Sequence, residues 1–116
     1  MNSKFEATFE KNNISRDGMC VLEFKSPAAD LGKVANVLSQ ISKEISLKAV
    51  VIEDRNIKFL VKSCMFDRLS VFKEGNSRIR FEAELIDVGN FKNISEVINK
   101  NLEIEIINIG GNDDEE

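Results

Sequence analysis

The stretch from Glu44 to Phe66, EISLKAVVIEDRNIKFLVKSCMF, decides how the rest of the chain is read. Apolar and polar residues alternate on both sides of Asp54-Arg55-Asn56, the period of a half-buried strand, and predict a β-hairpin. Loop length then fixes which side chains meet the core, because a slip of one residue turns every side chain to the other face. A three-residue loop places Ile45, Leu47, Ala49 and Val51 on one face with Phe59, Val61, Ser63 and Met65. A two-residue loop sets Lys58 and Lys62 opposite core residues, so the longer loop is preferred. The same register puts Lys48 across from Lys62 on the second face, with Lys58, Val50 and Leu60 nearby.

Downstream, LSVF at 69–72 reads as a short strand and KEGNS as a turn. The clearest alternation follows in RIRFEAELIDVG at 78–89, where Ile79, Phe81, Ala83 and Leu85 interleave with Arg78, Arg80, Glu82 and Glu84. Asn93 with Glu96 resembles a capping box, opening a second short helix with Ile94, Val97 and Ile98 on its apolar face. LEIEIINIG closes as a strand.

Upstream, Phe5, Ala7 and Phe9 form the inward row of a first strand that NNISRDG interrupts. Asp17-Gly18 supplies a positive-φ turn signal, after which Cys20, Leu22 and Phe24 share a face, giving an N-terminal hairpin. At KSPAADLGKVANVLSQIS, Ser26 is placed to cap a helix, Pro27 suits its first position, and Leu31, Val34, Leu38 and Ile41 return at helical spacing. The expected fold is therefore α+β: a mostly antiparallel curved sheet of about six to seven strands with two helices. Basic-Phe-Glu-Ala occurs twice, at Lys4–Ala7 and Arg80–Ala83, in strands of the same inward phase. Duplication of a strand-helix-strand unit and a shared amphipathic pattern account for it equally well.

Composition bounds the function. The 116 residues are 42% hydrophobic, enough for one domain with its own core, and no apolar run approaches the roughly 18 residues of a membrane span. The N-terminus has no secretory-signal pattern, so the expected compartment is the cytoplasm and Cys20 and Cys64 are expected to be free thiols. Asp113, Asp114, Glu115 and Glu116 hold four of the 20 acidic residues, leaving 16 against 16 Lys and Arg. The body, 1–111, is thus neutral and the net charge of -4 sits in a tail, 112–116, expected to be disordered.

The chain contains no histidine, which removes the commonest general base and zinc ligand. The two cysteines stand singly, without metal-ligand spacing, and Gly110-Gly111 opens onto acids and not onto a helix, unlike a phosphate loop. Glu53-Asp54, the one carboxylate pair outside the tail, reads as a solvated hairpin tip. Neither an enzyme nor a cofactor or metal site is expected.

Binding is the class that remains. Two lysines facing each other across a hairpin repel unless an anion neutralises them, and that anion is either a phosphate or a carboxylate such as Glu23. Lys48, Lys58 and Lys62 are the candidate phosphate contacts, Arg78 and Arg80 extend the track, and Phe66 or Phe72 is left to stack on a base, the other phenylalanines falling on inward rows. The acidic tail is a candidate partner-docking or self-masking element. A small β-rich body followed by GGNDDEE resembles the layout of phage single-stranded-DNA-binding and recombination-accessory proteins. That resemblance implies a non-enzymatic protein binding single-stranded nucleic acid, with Asp113–Glu116 engaging a basic partner. Two other readings stay open. One is an inhibitor of a basic host-protein surface acting through Glu103, Glu105 and the tail; the other is a self-assembling subunit that buries Ile107 and Ile109 between chains.

Overall fold

The structure, a computed structural model, describes residues 3–14, 17–41, 44–53, 55, 57–84 and 96–107. Six strands run through them: β1 (Ser3–Ile14), β2 (Met19–Ser26), β3 (Ile45–Val51), β4 (Ile57–Val71), β5 (Ser77–Glu84) and β6 (Asn101–Ile107). A 3₁₀ turn at Ala28–Asp30 leads into α1 (Leu31–Leu38). Every pairing is antiparallel, and the order β1-β2-β5-β4-β3-β6 closes on itself as a barrel. The expected α+β curved sheet with two helices is thereby corrected: the protein is mostly β, its sheet is closed, and α1 is the one α-helical element spanning more than a single residue among the described residues.

Closure comes from two long strands that change partners. β1 pairs with β6 over Ser3–Thr8 and with β2 over Thr8–Ile14, and the switch falls at Thr8 and Phe9, the backbone of Phe9 also bonding Asn99 and Lys100. β4 pairs with β3 up to Cys64 and with β5 from Met65 onward. Such partner-switching strands form the corners of an orthogonally packed barrel, and bulges supply the bend. The expected break at Asn12-Asn13-Ile14 and the separate LSVF strand are therefore both corrected, since these segments are the far ends of β1 and β4.

The bulges also overturn the expected phase of β4. Ile45 pairs with Cys64 but Leu47 with Val61, which inserts one extra β4 residue. Beyond it Cys64 is buried and Phe66 packs on the core, whereas Met65 is 58% exposed. A second extra residue, Asp67, lies between the Phe66–Phe81 and Arg68–Arg80 pairs and returns Leu69 to the core side. A third irregularity, between Ala49 and Val50, accompanies a loop longer than the expected three residues, with Val51 still in β3 and β4 starting at Ile57. Lys48 consequently faces Leu60, not Lys62.

Inside, Phe5, Phe9, Phe24, Phe59 and Phe81 are fully buried, each gaining about 1.5–3 kcal/mol from transfer out of water. Phe9 of β1 meets Phe59 of β4 across the interior at 5.9 Å, and Phe24 and Phe81 continue the aromatic cluster. The apolar filling and charged exterior are the reverse of a transmembrane barrel. No helix among the described residues is long and apolar enough to cross a membrane.

Val34, Val37 and Leu38 of α1 join this core. Ser26 does not cap the helix; it is the last residue of β2, and its Oγ donates to the Glu6 carbonyl at 3.4 Å. The helix stops at Leu38 because Gln40 and Ile41 donate to the Val37 and Leu38 carbonyls three residues back, tightening the chain out of α geometry. Of the expected helix after Asn93, residues 93–95 lie outside the described residues, Glu96 is helical, and 97–99 form a turn. The tail at 112–116, with Asp113, Asp114, Glu115 and Glu116, also lies outside them.

Exchanging β1 with β4, β2 with β5 and β3 with β6 leaves the strand order unchanged. Glu23 faces Arg80 and Lys48 faces Glu105, two pairs with the same separation of 57 residues, and the bulge residues Glu10 of β1 and Asp67 of β4 are also 57 apart, as a two-fold relation between the halves requires. The repeated Phe-Glu-Ala falls on β1 and β5, which this relation does not equate. Its likeness is that of two strands buried on one side.

Candidate functional site

Four strands, β1, β2, β5 and β4, turn a row of long charged side chains outward. Strand register alone aligns Lys11 with Glu23 and Glu23 with Arg80, then Arg80 with Arg68; one step along, Lys25, Arg78 and Ser70 stand side by side. Lys11, Glu23, Arg68, Ser70, Arg78 and Arg80 line a cavity of 170 Å³. Four cations thus surround one carboxylate and one hydroxyl.

The bulges place the carboxylates that hold these arginines. Glu10 is the extra residue of the β1 bulge and takes Arg78 in a forked contact, Nε to Oε1 at 2.8 Å and Nη2 to Oε2 at 3.5 Å. This hydrogen bond and the charge of Glu10 hold the Arg78 guanidinium above its ordinary pKa, with a smaller contribution from Glu23. Asp67, the extra residue of β4, lies 3.0 Å from Arg80 Nε and 3.6 Å from Arg68 Nε. Glu23, only 7% exposed, lies 3.6 Å from Arg80 and 3.8 Å from Arg78. Arg80 Nε is nevertheless buried without a hydrogen bond, because Asp67 is near it but off the N–H direction. The ring of Phe72 packs against Arg78, 5.2 Å from its guanidinium carbon.

Of the residues singled out from the sequence, the structure brings together Arg78 and Arg80 and separates the rest. Lys48 sits on β3 against Glu105 of β6, Nζ to Oε1 at 3.8 Å. Lys62 is exposed on β4, and Ser46 donates to its carbonyl at 2.7 Å. Lys58 belongs to β4 by its backbone, and its side chain lies outside the described residues. Phe66 points inward, 5.7 Å from Phe81, and is not placed to stack on a base; Phe72 is the aromatic residue beside the cationic cavity. Glu23 pairs with Arg78 and Arg80, and Lys48 pairs with Glu105. Lys11, Arg68 and Ser70 were missed, since nothing near them in sequence shows that β1 and β4 flank the β2-β5 pair.

The acidic strand edges are corrected as well. β6 is hydrogen-bonded on both sides, to β1 and β3, and its carboxylates are engaged: Glu103 with Arg55 at 2.9 Å and Glu105 with Lys48. Ile107 is half-buried at the end of β6, and Ile109 lies outside the described residues. Cys20 and Cys64 are buried thiols. Burial raises the pKa of Cys20; burial, with the charge of Glu44, pushes Cys64 up to about 12. Neither thiol is a nucleophile at neutral pH.

No family model matches this chain, and no curated protein matches it. The reading of the site therefore rests on its geometry.

Proposed function

We infer that this protein binds single-stranded nucleic acid, without catalysis or cofactor, through the cationic cavity on the β1-β2-β5-β4 face. The observation that carries this reading is the convergence of Lys11, Arg68, Arg78 and Arg80 from three strands on one cavity, with Lys11 making no ion pair among the described residues. Glu10, Asp67 and Glu23 hold the guanidiniums in place, and fixed guanidiniums lose little entropy when they fork onto phosphate oxygens. Phe72, already packed on Arg78, offers a ring face to a neighbouring base.

In this reading the protein is an accessory factor of phage-type replication or recombination, acting in the cytoplasm. The acidic tail, Asp113 to Glu116, competes for the same cations until a strand displaces it or docks a basic partner protein. Fluorescence anisotropy with a labelled mixed-sequence strand tests the interface. Binding should weaken steeply with salt, and Arg68→Ala should lower the slope of log K against log salt by about 0.7, the value for one phosphate contact on a single strand. Arg68 suits this test because it is exposed and its ion pair to Asp67 is long, so the fold survives its loss. Absence of binding at low salt overturns the reading.

A further inference from the structure

A second, larger cavity of 480 Å³ opens at the corner where β1 leaves β2 for β6. Its character differs from that of the arginine cavity. Pro27 and Ile52 give it apolar walls, while Glu6, Asp30, Asn76 and Asn101 bring two carboxylates and two amides to it. Carboxylates in a cavity oppose phosphate and favour a group that donates hydrogen bonds. Asn101 accepts the Thr8 hydroxyl on Oδ1 at 2.8 Å, which leaves its NH₂ to donate. Apolar walls with acceptors and donors between them suit a flat heterocycle carrying an exocyclic amine.

The two cavities are neighbours. Lys25 lines the larger one and pairs on one side with Thr8, also in its lining, and on the other with Arg78 of the cationic cavity. Adjacent strands lie about 4.8 Å apart, so the passage from Thr8 to Arg78 is about 10 Å. Lys25 is exposed and has no ion-pair partner among the described residues.

We propose that the cavity at the β1 corner takes an amino-bearing nucleobase of the strand whose phosphates lie on Lys25, Arg78 and Arg80. This rests on the proposed nucleic-acid reading and sharpens it into a base preference. Carboxylates accept from the exocyclic amine of cytosine, and thymine presents a carbonyl at the same ring position. Phosphate contacts position the strand, and this cavity specifies the base.

The test uses three labelled strands of equal length on the full chain: oligo(dC), oligo(dT) and an abasic strand. Oligo(dC) should bind on the order of tenfold more tightly than oligo(dT), the value of one good base contact. Ile52→Trp fills the cavity from its rim and should erase that difference while leaving affinity for the abasic strand unchanged. Equal affinity for all three strands, or a preference for oligo(dT), overturns the base cavity and leaves the arginine cavity standing. Failure of every strand, the abasic one included, to bind at low salt removes the phosphate site and the base cavity with it.

Discussion

The two outer faces of the barrel use the same residue types to different ends. On the β3-β6 face, cations and carboxylates pair one to one, Lys48 with Glu105 and Arg55 with Glu103, and each pair is complete. On the β1-β2-β5-β4 face, Arg68, Arg78 and Arg80 share Glu10, Glu23 and Asp67 around a cavity to which Lys11 adds another positive charge. The difference lies in the backbone. Bulges at Glu10 and Asp67 each add an outward residue beside the arginines of β5, so side chains that a regular ladder would space apart converge. Charge content alone does not gather cations around a cavity; convergence does.

The largest effect that can break this comparison concerns the phase of β4, which both faces depend on. Phe66→Ala should destabilise the protein by about 3 kcal/mol, whereas Met65→Ala should stay within about 0.5 kcal/mol, both read from urea denaturation. The reverse ranking would mean that β4 runs without its bulge and that the arginine face is not assembled as described.

A smaller effect separates the faces directly. Glu23→Gln leaves two arginines with fewer partners, so stability should fall by about 1–3 kcal/mol while affinity for single strands rises, because a carboxylate that competes with phosphate is gone. Weaker binding by this variant would assign Glu23 a part in strand recognition and not in holding the arginines. The smallest effect belongs to the paired face. Lys48→Met should cost about 0.2–1 kcal/mol and leave anisotropy titrations unchanged, since Lys48 is held by Glu105 away from the cavity. A loss of strand affinity in Lys48→Met would move the interface to the β3-β4 hairpin.

Period-two alternation identified the inward rows of Phe5-Ala7-Phe9, Cys20-Leu22-Phe24 and Ile79-Phe81-Ala83, all of them buried. Turn chemistry marked the two tight connections, at Gly18 with φ +82° and Gly75 with φ +96°. These are local properties, fixed by side chains within a few residues of one another. Arg78 and Arg80 were legible as an outward basic row for the same reason. Phe66 and the Lys48–Lys62 pairing were misread because that reading carried one unbroken alternation through a strand that is bulged.

The amino-acid sequence by itself determined which short segments are strands, which of their faces is apolar, and that the chain has no histidine. The tertiary structure decided that the sheet closes, that β1 and β4 each serve two neighbours, and that Lys11, Arg68, Arg78 and Arg80 share one cavity. The physical reason is range. An inward row is set by the two-residue pleat, whereas a bulge, a partner switch or an ion pair from Glu10 to Arg78 is settled by whichever strand lies alongside, and that strand is chosen by burying the whole interior at once.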